Sequence, residues 1–359
     1  MNMDGNSRVL LIGEGVVASE LAHSYARLGF EPVSGKLEDA RALHPALIVT
    51  ATDQFDLDEL RRAVEETGAS VVPTIEASEL TANRQRTRTS ANDDLGLPTL
   101  EHEFVAEEAE LAGAAERIGF PCVVKPGRST AGAGQSVVQS PEELRGAYEA
   151  AREASPSEGV VVERYIEFDS EVTILAVRSV DPATGQLATW FCEPIGTRHR
   201  EGRLVESWQP APLPEAAMDN ARSIAARITG ALASCGIFSV EMFVSGDDVY
   251  FSQVTPRPSR DGLVTFVTQR IDEFDLQARA TQQLPIDSTL VSPGAARFLE
   301  GHPSHKAVAA AMAVDEVTVR MVGDGTLVLA TADSAAEARQ RAEEAVREIH
   351  NVDGKPGEN

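Results

Sequence analysis

The sequence predicts an α/β protein: an N-terminal parallel α/β domain, Rossmann-like in its pattern, followed by a larger region of mostly antiparallel strands. Three observations carry that prediction. Short apolar runs alternate with amphipathic helical stretches over the first 80 residues or so, the pattern of a parallel sheet. Further along, strand-like runs follow one another through turn sequences such as "DPATGQ" and "SGDD", as antiparallel hairpins do. At 359 residues the chain is also long enough for two or three cores.

Taken in order, "RVLLIGEGVVASELAHSYARLGFEPV" reads as a buried strand, a Gly-rich turn and a helix with Leu21, Tyr25 and Leu28 on its apolar face; Gly29 ends the helix. "ALIVTAT" and "SVVPTI" are further strands, with the helix "DLDELRRAVEETG" between them. A helical stretch, "EASELTANRQRTRTSANDDLG", leads to the strand "GFPCVVKPG", a short loop, "QSVVQS", a helix from Pro141 to about Arg152, and "GVVVERYI". "EVTILAVRSV" and "LATWFCEPIG" are antiparallel in character. The long helix "PEAAMDNARSIAARITGALASCG" precedes a hairpin of "FSVEMFV" and "DVYFSQV". "EVTVRMVG", "GTLVLATA" and a charged helix from about Ser334 to His350 close the chain, with a disordered tail expected over 352–359.

The chain carries 32 Lys+Arg against 56 Asp+Glu, a formal charge of −24. Nucleic acid and anionic membranes demand basic surface, so neither is expected as the main partner. A nucleotide is not excluded, because its phosphates respond to the local field. Cys122, Cys192 and Cys235 lie far apart without metal-ligand spacing, which suits a reducing cytoplasm and buried thiols. No run approaches the ~18 apolar residues of a membrane span. "MNMDGNSRVLLIGEG" passes from polar residues straight into a strand, so no signal peptide is expected.

Four features bear chemistry. "GEGVVASE" opens a helix whose free N–H groups can hold an anion, but as G-x-G alone it is a weak dinucleotide fingerprint. Lys125 ends the apolar run "CVVKP" and precedes "GRSTAGAGQ", so a cation stands beside a loop able to cradle phosphate; it is not a Walker motif. In "VVVERYIEFDSEVTIL", Glu163 follows one strand and Glu171 heads another, an edge that suits a base and its ribose. Glu241 in "FSVEMFV" and Gln253 in "FSQVTPRP" are twelve residues apart on adjacent strands and can pinch a metal ion between them.

Lys125, the Gly-rich loop, Glu163, Glu171, Glu241 and "QVTPRP" occur in the order and spacing of an ATP-grasp domain. More closely, "TANRQRTR", "GFPCVVKP", "VERYIEFDSEVTILAV", "ESWQPAPL", "GIFSVEMFV" and "FSQVTPRP" resemble the formate-dependent phosphoribosylglycinamide formyltransferases, over most of residues 8–350. The resemblance implies an N-terminal α/β domain over 1–88, an ATP-grasp domain over 89–290 with a lid at about 119–190, and a small β-rich C-terminal domain over 291–351. It also implies ATP and Mg²⁺ as cofactors, small carboxylate and amine substrates, and a homodimer. Carried over by position, Arg84, Lys125, Thr130, Ala131, Gly132, Gly134, Gln135, Glu163, Arg164, Tyr165, Ile166 and Glu171 match ATP contacts. Glu241 and Gln253 match the two Mg²⁺ carboxylates, and Arg257 an arginine near the transferred phosphate; Lys125 and Arg257 would be catalytic. Gly15, Val16, Arg198, Ser207, Trp208 and Arg260 fall on the substrate side. In the family a carboxylate attacks the γ-phosphate to give an acyl phosphate, which an amine then displaces, a task of charge neutralisation and positioning.

Departures from the family pattern are concentrated. Gln253 stands where the family has Glu, so one negative charge at the metal is gone. Ala133 replaces the lysine of the phosphate loop, Val16 replaces the Glu that holds the glycinamide amine, and Arg260 replaces an acidic residue. The C-terminal Lys and Arg-Arg pair that grip the ribose phosphate are missing, with no basic residue between Arg320 and Arg339. The expected function is therefore an ATP-grasp ligase redirected to another carboxylate and amine or ammonia. The alternatives are the parent formylation of phosphoribosylglycinamide and a nucleotide-binding protein with impaired catalysis. Arg198 and His199, in "GTRHREGRLVESWQP", would overhang the carboxylate site, as anion contacts or as a solvated loop.

Overall fold

A computed structural model describes residues 7–128, 133–156, 159–200 and 202–354. The first unit contains β1 (Arg8–Ile12), α1 (Gly15–Arg27), β2 (Glu31–Gly35), α2 (Ala40–Leu43), β3 (Leu47–Thr50), α3 (Leu57–Thr67) and β4 (Ser70–Val72). Its four strands run parallel in the order β2-β1-β3-β4. Both faces of this sheet are covered, which is why β1 and β3 read as unbroken apolar runs. Val9, Leu11 and Val49 pack with Leu21 and Tyr25 of α1, while Leu10, Ile12 and Ile48 pack with Leu60 and Ala63 of α3.

The single helical stretch expected over 76–96 is broken into α4 (Ile75–Ala82), α5 (Arg84–Thr89) and a wide turn over Ser90–Asp94. Asn83 causes the break. Its backbone is extended, it bridges to Arg128, and its side chain accepts from Arg86 N at 3.0 Å to start α5.

A second, four-stranded sheet in the order β5-β8-β6-β7 is built from β5 (His102–Val105), β6 (Cys122–Pro126), β7 (Ser136–Val138) and β8 (Val160–Arg164). It is covered on one face by α6 (Glu108–Ile118) and α7 (Leu144–Ala154). This body spans His102–Arg164 and so differs from the 119–190 segment expected as a lid, because the residues after Ser170 pair elsewhere.

They belong to a nine-stranded sheet of β9 (Ser170–Val180), β10 (Leu187–Phe191), β11 (Ile195–Arg200), β12 (Arg203–Gln209), β13 (Gly236–Ser245), β14 (Asp248–Thr255), β15 (Gly294–Glu300), β16 (Val317–Val322) and β17 (Gly325–Thr331). The order is β14-β13-β9-β11-β12-β15-β17-β16, with β10 on β9. One face of β9 and β13 packs on α8 (Glu215–Leu232) through Val172, Ile174, Val240 and Met242. The other meets α10 (Glu273–Thr281) through Leu175 and Ile237, beside α9 (Thr265–Thr268). Because β15 pairs antiparallel with β12, the C-terminal strands continue this sheet. α11 (His305–Ala311) and α12 (Ala335–Asp353, with Ser334 capping Glu337 N) cover its end. Among the described residues no helix is long and apolar enough to cross a membrane.

Candidate ATP and metal site

A cavity of about 680 Å³ opens where β6 and β8 face β9, β13 and β14, with the loop after β3 closing one end. On one wall, the β6–β8 register sets Val123 opposite Glu163 and Lys125 opposite Val161, so Lys125 and Glu163 are diagonal neighbours on one face. Lys125 Nζ lies 2.6 Å from Glu163 Oε2. Arg88, on α5, donates through Nη2 to Glu163 Oε1 at 2.6 Å and through Nη1 to Phe251 O of β14 at 2.7 Å. The side chains of Arg88, Lys125 and Glu163 are all at most 6% exposed.

Arg84, half-buried beside them, has a buried Nε without a hydrogen-bond partner among the described residues. Burial alone would raise the Glu163 carboxyl, but Arg88, Lys125 and Arg84 hold it well below the usual carboxylate range. Burial depresses the Lys125 ammonium and the Arg84 guanidinium; Glu163 opposes this for both. Three cations, two of them buried, thus surround one buried carboxylate. Such a surplus is costly in an apolar surround unless an anion arrives, and a polyphosphate supplies one. The residues present therefore fit ATP.

Tyr165, Ile166, Phe168 and Phe243 form an apolar wall nearby, the two Phe rings 4.7 Å apart by centroid. Arg164 lines the same wall while its guanidinium pairs with Glu101. Glu171, placed by sequence at the ribose, is held by His199, whose Nδ1 is 2.8 Å from Glu171 Oε2. Burial works against the charged imidazole, yet the Glu171 hydrogen bond and the carboxylates of Glu171, Asp261 and Glu241 raise it to about 9.

Glu241 and Gln253 are cross-strand partners on β13 and β14, and Gln253 Nε2 donates to Glu241 Oε1 at 3.2 Å. Burial, Asp261 and Glu171 push the Glu241 carboxyl up to about 7. A carboxylate among like charges gains from a divalent cation, so the donor chemistry fits Mg²⁺. Among the described residues no three His, Cys, Asp or Glu form a metal cage. That suits an ion held by one or two carboxylates and the nucleotide phosphates.

Arg257 donates from Nη2 to Asp53 Oδ2 at 2.6 Å, tying the site to the loop after β3. Arg260 lines the cavity with its guanidinium 5.5 Å above the Phe298 ring. Gln135 is at the rim, and Gly134 is a structural glycine: at φ +73° its added Cβ would lie 2.7 Å from Ala150 O. Thr130, Ala131 and Gly132 lie outside the described residues.

The expected substrate contacts divide. Gly15 and Val16 begin α1, but Val17 is the residue of that turn that reaches the cavity. Trp208 instead packs on Gly196, where a Cβ would come within 2.2 Å of the indole, and lies beneath Arg339 at 3.9 Å. Ser207 is fully buried away from the cavity, and Arg198 pairs with Glu206 at 3.0 Å. Strand alternation explains this: Glu206 and Trp208 face α12, where Arg339 grips Glu206 through two hydrogen bonds, and Ser207 faces the opposite side. Sequence reasoning missed Arg88, Asp53 and Asp261. Arg88 lies four residues after Arg84 on one helical face, and Asp53 follows the carboxyl end of a parallel strand, where α/β sites form.

Comparison with known proteins gives the family and the fold. The ATP-grasp domain profile matches residues 90–274. The chain is 47% identical to a formate-dependent phosphoribosylglycinamide formyltransferase of Corynebacterium jeikeium, over 94% of this chain and 92% of that one. It is 43% identical to the protein of that name from Corynebacterium efficiens, over 94% of each. The solved glycinamide-RNase-transformylase T of Mycobacterium tuberculosis matches with a TM-score of 0.81 and 36% identity, over 95% of this chain and 99% of that one. A carboxyaminoimidazole ribonucleotide synthase from Aspergillus clavatus, solved with ATP, shares the fold at TM-score 0.84 and 19% identity, over 97% and 99%.

Proposed function

Since this chain belongs to the family of formate-dependent phosphoribosylglycinamide formyltransferases, ATP-grasp enzymes that use ATP with Mg²⁺, we propose that it activates a small carboxylate with ATP and joins it to an amine, its substrates redirected from those of the parent reaction. One observation carries the ligase reading: Arg84 and Lys125, backed by Arg88 through Glu163, share a single cavity with Glu241, Gln253 and Arg257. When bound, Mg²⁺-ATP supplies the phosphoryl group that makes the carboxylate electrophilic. Lys125 and Arg84 would hold phosphate oxygens, Glu163 to Ile166 and Glu171 would flank the nucleoside, and Arg257 would serve the transferred group. The carboxylate oxygen attacks the terminal phosphorus as ADP leaves. The amine nitrogen then attacks the acyl carbon, phosphate departs, and the nitrogen loses a proton.

The loss of three family cations and the change at Val16 and Arg260 support a redirected second substrate. The 47% identity to a named formyltransferase favours the parent reaction as a second reading. Incubation with ATP, Mg²⁺, formate and phosphoribosylglycinamide, followed by detection of ADP and the formylated product, separates the two. Product at a rate near that of the relatives establishes the parent reaction. ADP release only with another carboxylate and amine establishes redirection. Nucleotide binding without turnover on any pair overturns both. A cytoplasmic homodimer of an N-terminal α/β domain, an ATP-grasp domain whose smaller body spans His102–Arg164, and a C-terminal β-rich part completes the reading; sedimentation of the purified chain tests the dimer.

A further inference from the structure

Resting on the Mg²⁺-ATP reading above, the geometry points to Asp261 as the carboxylate that serves the metal in place of the charge absent at Gln253. β9, β13 and β14 lie side by side, and their register sets Thr173, Glu241 and Gln253 in one row across the cavity face. Their neighbours Val172, Val240, Met242 and Val254 face α8 instead, which fixes the orientation of the row. Adjacent members of such a row are about one strand spacing apart, ~4.8 Å. Within it only Glu241 carries negative charge, and Gln253 turns its amide nitrogen toward Glu241.

Asp261 completes the set from outside the strands. It sits in the turn Arg260–Val264, and its Oδ2 accepts from Thr173 Oγ1 at 2.7 Å. The carboxylate is therefore pinned to the end of the row, one strand from Glu241, and both groups line the cavity. Asp261 is 8% exposed and forms no ion pair among the described residues; its Oδ1 takes no hydrogen bond there either. His199 and Arg260 act on this carboxylate only through space, without a direct ion pair, and a buried carboxylate so weakly compensated is costly; a divalent ion shared with Glu241 removes that cost.

The turn is held rigidly enough to aim it. Ser259 N donates to Glu273 Oε2 at 3.0 Å, and Thr265 Oγ1 donates to Gly262 O at 2.6 Å. Gly262 lies so close to Glu273 that an added Cβ would come within 2.1 Å of its Oε2. The carboxylate six residues beyond the strand thus offsets the neutral amide on β14.

The test is Mn²⁺ affinity of the full chain with a non-hydrolysable ATP analogue, read by water-proton relaxation, which needs no turnover. D261N should weaken Mn²⁺ on the order of tenfold or more. Q253E in the D261N background should restore most of that loss, and in the wild-type background should gain less. If D261N does not fold, T173V, which removes the hydroxyl that aims the carboxylate, should weaken Mn²⁺ in the same direction. Unchanged Mn²⁺ affinity in D261N, or in T173V where D261N cannot be made, overturns the assignment. Equal gains from Q253E in both backgrounds overturn it also. Failure of the wild-type chain to bind the analogue at all overturns the ATP reading instead.

Discussion

Arg88 joins two strands that never meet directly: Glu163 on β8 and the carbonyl of Phe251 on β14. Replacing it with Met leaves the buried Glu163 with one fewer cation, and R88M should cost about 3–5 kcal/mol in urea denaturation. The pH dependence has a definite sign. Glu163 is held below its ordinary value, so its contribution is fully present above about pH 4.5 and is lost as pH falls below that. Acid unfolding should therefore be less steep in R88M than in the wild type. His199 behaves oppositely. With the imidazole raised to about 9, the Glu171–His199 pair stabilises fully below about pH 6.5 and is lost as pH rises through 9. H199Q should flatten the stability profile between those values, by on the order of 1 kcal/mol given the pair's partial exposure. Lys125, Glu163, Glu241 and Gln253 were legible in the sequence because each sits at a strand end or alternates with apolar neighbours. Arg88 and Asp53 were not, since their partners lie 75 and 204 positions away and no local pattern marks them.

Among the elements, the strongest signals were periodic. The parallel sheet, the β13–β14 hairpin and the terminal helix appeared within a few residues of their expected ends. Two differences have local causes: Asn83 as a cap inside a helical run, and the pairing of β9 with β13, which draws the residues after 170 out of the smaller sheet. The alternation along β12 also decided a question that the motif "ESWQP" left open, turning Trp208 onto Gly196. A methyl at that glycine cannot be accommodated without moving the indole. G196A should destabilise by about 1–3 kcal/mol in urea, with nucleotide affinity little changed in those molecules that fold. Behind the Arg260–Val264 turn, burial keeps the Glu273 carboxyl well above its ordinary range and so favours its uncharged form. E273Q should accordingly be tolerated to within about 1 kcal/mol, whereas E273A, which leaves Ser259 N unpaired, should cost about 2 kcal/mol; thermal melts distinguish them.

At the scale of the molecule, a chain of net charge −24 gathers Arg84, Arg88 and Lys125 around one buried carboxylate, so positive charge is concentrated locally rather than spread over the whole surface. The N-terminal sheet enters the site through Asp53, which restrains Arg257. Removing that arginine should lower kcat by about 10²-fold or more with a smaller change in KM for ATP, measured by steady-state ADP release in R257A. The pairing of β15 with β12 has a practical consequence for protein engineering. A truncated chain ending near Leu290 would strip the last three strands from the large sheet and bare the backbone amides and carbonyls of β12 along a flat seam. Such a fragment should precipitate or self-associate on expression rather than behave as a free-standing nucleotide binder.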